Sequence, residues 1–373
     1  MRHLHAQFVT PLAVALAACI LTGCGGVPNT SLRENQCGGC NFFYATSVSG
    51  SILEENFSAG QQAWTAPVLT LGPANSRGIA AVWQIGQAAD LYVSDPENNA
   101  IRVYRISHAD GSLSPSGLGP YALSGTGEPQ QILVANGDLF VASTAGEVFG
   151  FKVQADGSLT PLPGSPFASG AGTTHLCASG GTTLTFYLYA SNSSDPNGSI
   201  SAFAVHTDGT VTPVPGSPFA TVADGQPEGL FSTGGRVYAA LSHAGEVAAF
   251  SIASDGSLQP IAGSPYPAEA GASSLTQVGQ YLYSENTGNM SGYSIDSSSG
   301  ALTALTASPF AAANATGEMN WIGNWVLVPE SSPGGFLAFL WSSKGNLSPA
   351  PGSPFPAGAT PLVAFNLQVE GVI

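Results

Sequence analysis

Hydrophobic residues along this 373-residue chain come in short bursts, each cut off after a few positions by glycine, proline, serine or asparagine. That rhythm predicts strands and turns. The stretch Ser201 to Phe219 shows the unit: Ala202, Phe203, Ala204 and Val205 form an apolar run suited to a strand buried on both faces, and Asp208-Gly209 favours a tight hairpin turn. Thr210 to Val214 makes the return strand. Pro215-Gly216-Ser217-Pro218 ends it, because proline offers no amide to a ladder and glycine tolerates positive φ.

The same turn recurs at Asp110-Gly111, Asp156-Gly157, Asp255-Gly256, Ser299-Gly300 and Lys344-Gly345, and successive turn glycines lie 46, 52, 47, 44 and 45 residues apart. A repeat in the mid-forties fits one four-stranded propeller blade; a helical-pair repeat of that length would be broken by the 47 glycines and 27 prolines. Each unit also ends in a Gly-Ser-Pro-Phe piece or a variant of it, at Gly164 to Phe167, Gly216 to Phe219, Gly263 to Tyr266, Ser308 to Phe310 and Gly352 to Phe355. The closing aromatic is expected to pack between neighbouring blades, since a lone blade cannot bury both faces. The first unit shows only three strands, at Phe42 to Thr46, Ile52 to Phe57 and Trp64 to Leu71, with Gly60 as a degenerate turn. Pro361 to Val369 is a strand with no unit after it, so it can supply the missing innermost strand. The expectation is an all-β, seven-bladed propeller over residues 42–373, closed by its own C-terminus.

Residues 1–23 read differently. Arg2 is followed by the apolar run Phe8 to Leu21, too short to span a bilayer comfortably, and then by Leu21-Thr22-Gly23-Cys24. This resembles a bacterial lipoprotein signal, which implies cleavage before Cys24, lipid on its sulfur, and a tether over 24–41 holding the domain on the cell envelope. Gly25 after the cysteine leans towards the outer membrane or cell surface by the same resemblance. Cleavage would leave 7 basic residues against 23 acidic ones. Such a surface cannot neutralise phosphates, so nucleic acid is excluded as a partner and a phosphorylated sugar is disfavoured. Of the remaining cysteines, Cys37 and Cys40 form a C-G-G-C that suits a small extracellular disulfide, with a redox pair or half a zinc site as alternatives. Cys177 reads as a buried core thiol.

Further motifs carry a resemblance. Gln226-Pro227 to Leu230, Tyr187-Leu188-Tyr189 to Asn192, Ile200 to Val205 and the repeated turns and G-S-P-F ends together are similar to the seven-bladed propellers of the lactonase type, related to 6-phosphogluconolactonase and to surface-protein propeller repeats. The resemblance covers Phe42 to Val369 and implies a site at the mouth of the central channel, where the loops of all blades converge. Aligning the units on their turns places Arg77, Gln130, His175, Glu228, Ser274, Asn320 and Pro361 where the inner strands begin at that mouth. The loops between second and third strands add Asp95, Asn192, Asn286 and Glu330.

His175, Glu228 and Arg77 in one funnel could act as general base, second acid and oxyanion partner in opening a lactone, and His175 falls near the family's inner-strand histidine. Yet His175 follows Thr173-Thr174 rather than a proline, and the later blades carry no arginine-histidine pair. Asp195 to Gly198 and Asp95 to Asn98 are short of calcium ligands, so neither metal nor cofactor is expected. Two readings result. The one favoured by the scarcity of ionisable residues is an envelope-displayed monomer that binds a glycan, a protein or a small neutral molecule. The competing one is a hydrolase of neutral lactones, and it requires His175, Glu228 and Arg77, set in different blades, to meet across the channel.

Overall fold

The computed structural model describes residues 32–33, 40–57, 67–82, 89–182, 184–195, 197–322 and 325–370. Among them every regular element is a strand, and the strands form seven sheets arranged as the blades of a propeller. Cys24, Cys37, Gly60 and Trp64 lie outside the described residues, as do residues 1–23.

Blade 4 shows how the repeat is read by the chain. Thr173–Thr182 is its inner strand, Thr185–Asn192 and Ser199–His206 follow antiparallel, and Val211–Pro213 forms the outer edge. The turn between the last two strands is held by Asp208, whose Oδ1 accepts from the Thr210 amide at 2.9 Å and its hydroxyl at 2.7 Å. The same aspartate-to-serine closure occurs at Asp110, Asp156 and Asp255, which explains why a short polar residue recurs two places after the acid. Blades 2, 3, 5, 6 and 7 repeat this plan from the inner strands Ile79–Val82, Pro129–Ala135, Pro227–Thr233, Ser274–Val278 and Asn320–Ile322. Blade 1 is built from both ends of the chain: Pro361–Glu370 pairs antiparallel with Cys40–Ser47, which leads to Ser51–Phe57 and Val68–Leu71. Leu32–Arg33, within the stretch expected as tether, runs parallel to Val369–Glu370 and extends that sheet inward. The end of the closing strand offers pairing groups there, and the chain ahead of blade 1 takes them up.

The G-S-P-F pieces have a definite task. After the outer strand, blades 2 to 7 each add a two-residue strand that returns to the third strand, as Phe219–Ala220 does against Ser199 and Ile200. One third-strand amide falls in the gap between the two outer pieces, and the serine hydroxyl takes it. The Ala202 amide donates to Ser217 Oγ at 2.8 Å, Ala249 to Ser264 at 2.8 Å, and Ala338 to Ser353 at 2.9 Å. The following aromatic then reaches the next blade, as expected: Phe167 of blade 3 lies 6.4 Å, centroid to centroid, from Phe203 of blade 4.

The core is accordingly a series of layers between blades rather than one central mass. Second strands are sandwiched in it on both faces, and Ala89–Asp95 is buried throughout. A tyrosine on this strand crosses each of five interfaces. Tyr44 donates to the Gly111 carbonyl at 2.6 Å, Tyr92 to Gly157 at 2.7 Å, Tyr189 to Gly256 at 2.9 Å, Tyr238 to Gly300 at 2.9 Å and Tyr283 to Gly345 at 2.7 Å. Each acceptor is the turn glycine of the next blade. Burial is the main cause pushing the phenols of Tyr44, Tyr92, Tyr238 and Tyr283 up, Tyr238 to about 12, so these stay protonated donors. The turn glycine is required twice over: Gly256 has φ +86°, and a Cβ there would run into the Tyr187 ring. Cys177 sits in the inner strand of blade 4 as a buried free thiol.

Two stability predictions follow from these contacts. Tyr283→Phe strands the buried Gly345 carbonyl and should cost about 1–3 kcal/mol in denaturant unfolding; Tyr189→Phe acts at a different interface and should add to it. Gly256→Ala should cost more than Tyr189→Phe, because it adds backbone strain and a steric clash to the same contact. A Tyr189→Phe, Tyr283→Phe double variant as stable as the wild type would contradict the cross-blade role.

Candidate functional site

Four of the inner strands do not enter the ring smoothly. Their pairing slips by a residue or more between Pro129 and Ile132, between Thr173 and Leu176, between Pro227 and Gly229, and between Pro361 and Ala364. These bulges lie at the same end of the channel, and the residues inside them are Gln130, Thr174 and His175, Glu228, and Leu362 and Val363. A bulge re-aims the side chains it contains. Here they turn into a cavity of about 290 Å³ to which all seven blades contribute, with Arg77 from blade 2, Ser273 and Ser274 from blade 6, and Gly317 and Glu318 from blade 7 completing its wall.

Two glycines let neighbouring blades come close enough for this. A Cβ at Gly78 would collide with the Gln130 carbonyl, and one at Gly317, where φ is +86°, would collide with that of Leu362. Side chains and amides then lace adjacent inner strands together. The Leu176 amide donates to Gln131 Oε1 at 2.6 Å, Met319 N to Ser274 Oγ at 3.0 Å, and Glu318 N to the Leu362 carbonyl at 2.9 Å.

His175 is the most constrained group in the cavity. Its amide donates to Ser191 Oγ at 3.0 Å, its Nδ1 lies 3.3 Å from Thr174 Oγ1, and its Nε2 lies 3.0 Å from Glu318 Oε1. The last contact has ion-pair distance but not the alignment of a good hydrogen bond, and Nε2 has no other partner. A carboxylate beside Nε2 favours the proton there and leaves Nδ1 as the acceptor. Arg77 is exposed at the rim, and among the described residues its guanidinium has no hydrogen-bond or ion-pair partner. Behind Ser273, out of contact with solvent, stands Glu285. Burial pushes its carboxyl up to about 8, with the charges of Glu228 and Glu318 adding to the shift and the Ser273 hydroxyl opposing it.

The structure thus brings Arg77, Gln130, His175, Glu228 and Ser274 into one cavity, and sets Leu362 and Val363 there beside Pro361. It keeps five other candidates out. Asn320 is only 4% exposed and spends its amide on the Ala364 carbonyl at 2.9 Å and the Trp321 amide at 2.7 Å. Asp95 caps its own hairpin, accepting from Arg102 Nε at 2.6 Å and Asn98 Nδ2 at 2.9 Å. Asn192 caps its hairpin by donating from Nδ2 to the Ser199 and Ser201 hydroxyls at 2.9 and 3.0 Å, and Asn286 lies 2.9 Å from Ser291. Glu330 is buried with Oε1 unpartnered, and desolvation raises its pKa. All four end second strands, and Asp95, Asn192 and Asn286 tie the turn to the third strand instead of lining the cavity.

Glu318 and Glu285 escape the repeat arithmetic by small slips. Turn-based alignment lands on Asn320, two residues beyond Glu318 and already inside the paired strand, and on Asn286, one residue beyond Glu285, where a shift of one residue changes the face a side chain occupies. Glu318 is the counterpart of His175, since Leu176 and Met319 make the same lacing bond to the preceding blade, an equivalence visible in the structure and not in the turn spacing.

No protein-family model matches this chain, and no curated protein matches it. Solved structures do. A protein of Bacteroides fragilis described provisionally as a 6-phosphogluconolactonase is 17% identical, with a TM-score of 0.72 over 88% of this chain and 98% of its own. The periplasmic gluconolactonase of Pseudomonas aeruginosa is 16% identical, with a TM-score of 0.71 over 88% of this chain and 99% of its own. A protein of Lactobacillus plantarum, 14% identical, gives a TM-score of 0.66 over 88% and 99%. With seven blades, a ring closed by the C-terminal strand and these structural neighbours, the chain has the fold of the lactonase-like seven-bladed β-propellers.

Proposed function

We propose that this protein hydrolyses a neutral lactone in the cavity at the channel mouth, on the outer side of the cytoplasmic membrane. The observation that carries the reading is that the His175–Glu318 pair and the unpartnered Arg77 line the same small cavity. Convergence of His175, Glu228 and Arg77 was the requirement of the hydrolase reading, and a shared cavity shifts the balance away from a binding scaffold. The periplasmic gluconolactonase among the structural neighbours points in the same direction.

The chemistry assigns a role to each group. Water in the cavity attacks the lactone carbonyl while His175 Nδ1 takes its proton, and Glu318 steadies the imidazolium that forms. Arg77 offers its guanidinium to the oxygen that gains charge. Collapse of the tetrahedral intermediate breaks the ring C–O bond, and His175 returns the proton to the leaving ring oxygen, giving a hydroxy acid. Gln130, Thr174, Glu228 and Ser273 provide hydrogen-bonding groups for substrate hydroxyls. A phosphate would face two carboxylates and one arginine inside a chain of net charge −15, so the substrate is unphosphorylated.

The localisation rests on the resemblance of the stretch ending at Cys24 to a bacterial lipoprotein signal, from which we propose a lipid anchor in the cell envelope. Cys24→Ser should release the domain into the soluble fraction; a variant that stays membrane-bound after a salt wash contradicts the anchor.

Activity is tested by following acid release from a panel of sugar lactones and acyl lactones. His175→Ala should lower kcat/KM by about 10²–10⁴-fold and Arg77→Met kcat by about 10²–10³-fold. Phosphorylated lactones should be poorer substrates than their neutral counterparts. Lactones that bind in this cavity without turning over would return the assignment to a binding module, and an unchanged rate in His175→Ala would remove the histidine from the mechanism.

A further inference from the structure

Glu285 is the largest commitment in this part of the molecule that the hydrolytic scheme leaves unused. It lies in the second strand of blade 6, Tyr281–Asn286, opposite Ser274 of the inner strand, and is 3% exposed. Both ends of Ser273 are tied to it: the Ser273 hydroxyl donates to Glu285 Oε2 at 3.1 Å, and the Ser273 amide donates to the Glu285 carbonyl at 3.0 Å. Ser273 and Ser274 form the stretch of cavity wall between Glu228 and Glu318. On one side Gly229, next to Glu228, packs against the Ser273 carbonyl, where any Cβ would crowd it. On the other, Ser274 Oγ receives the amide of Met319, next to Glu318.

We propose that Glu285 is a positioning residue of the cavity: as a neutral carboxylic acid it holds the Ser273–Ser274 wall in place between the Glu228 and Glu318 carboxylates. Its neighbours make the neutral form the one that fits. The charged groups acting on it are Glu228 from blade 5 and Glu318 from blade 7, both negative, and no cation is among them. Within blade 6 its neighbours across the sheet are Ser274 and Met290, neither of which can compensate a charge. Ionised, Glu285 would be a third carboxylate behind a wall already flanked by two, in a site with little water to screen it. Neutral, it accepts a hydrogen bond from the Ser273 hydroxyl, which leaves the serine oxygen able to accept one from a substrate hydroxyl in the cavity.

The consequence is a loss of function on the alkaline side. Burial first, then Glu228 and Glu318, raise the Glu285 pKa from 4.5 to about 8. The folded state therefore holds this proton where the unfolded chain has released it. The stability it contributes is complete below about pH 4.5 and declines as pH rises through about 8.

The test uses the full folded domain and two readouts. In thermal unfolding at pH 5, 7 and 9, Glu285→Gln, which keeps a neutral side chain at every pH, should gain on the wild type as pH rises. A gap between the two melting temperatures that is the same at pH 5 and pH 9 overturns the proposal. This arm needs no substrate, so it stands even if the hydrolase reading fails. The kinetic arm rests on that reading: wild-type kcat/KM should fall about tenfold per pH unit above about 8, and the fall should be absent from Glu285→Gln whatever its absolute rate. The same alkaline fall in both proteins overturns the proposal. Should Glu285→Gln fail to fold, Ser273→Ala serves instead. It removes the hydrogen bond that lowers the Glu285 pKa, so the alkaline midpoint should move upward in either readout; an unmoved midpoint counts against the role.

Discussion

The contact on which the ring depends is the phenol of one blade meeting the turn glycine of the next. Each blade exposes two apolar faces that only neighbours can cover, so the sheets must stack, but apolar stacking alone leaves their angle and depth loosely defined. The hydrogen bond from a buried tyrosine to a glycine carbonyl fixes both, because a misplaced blade leaves that carbonyl unpaired in a dry interface. It also explains the order of residues in the repeat. The tyrosine must be on the second strand to be buried, and the acceptor must be a glycine because a neighbouring side chain lies where a Cβ would go, as Tyr187 does at Gly256 and Phe42 at Gly111.

Two interfaces lack this bond. Phe140 in blade 3 and Leu327 in blade 7 stand at the tyrosine position, opposite the third-strand residues Gly150 and Ala338. Both interfaces are held by aromatic packing instead. Phe140 meets Phe186 of blade 4 edge-on at 6.1 Å, and Phe43 of blade 1 meets Phe336 of blade 7 at 5.3 Å. The second of these is the closure of the ring, where the two chain ends meet.

Regularity at the outer side of each blade permits irregularity at the inner side. With sheets held by phenols, serine bridges and aromatics, the starts of the inner strands can bulge without loosening the ring, and it is there that side chains are re-aimed into the channel. The cavity is acidic because Glu228 of blade 5 and Glu318 of blade 7 line it on either side of the Ser273–Ser274 wall, where Gly229 and Met319 pack closely against blade 6. Among the described residues, one arginine at the rim and one histidine against a carboxylate are the lining groups that can offer positive charge, which suits a neutral, hydroxyl-bearing ligand far better than an anionic one.

By itself the sequence determined the seven blades and the way they close. Turn dipeptides, the spacing of Gly111 through Gly345 and the unpaired strand at Pro361 are local features, and each keeps its meaning whatever surrounds it. Arg77, Gln130, His175, Glu228 and Ser274 were legible for a related reason, since a closed ring of equal units must bring equivalent positions to one mouth. Tertiary structure decided the rest. Asp95, Asn192, Asn286 and Glu330 end their strands at the same height but do not line the cavity, and the first three turn into the hairpins, where side chains of the turn and third strand engage them. Glu318 lines the cavity two residues ahead of Asn320, and Glu285 stands behind Ser273, because which residue reaches the channel depends on where each inner strand begins and bulges, and that differs from blade to blade. Alternating patterns cannot reveal such a slip when both faces of the strand are buried, and only the packed neighbours settle which side chain reaches the channel.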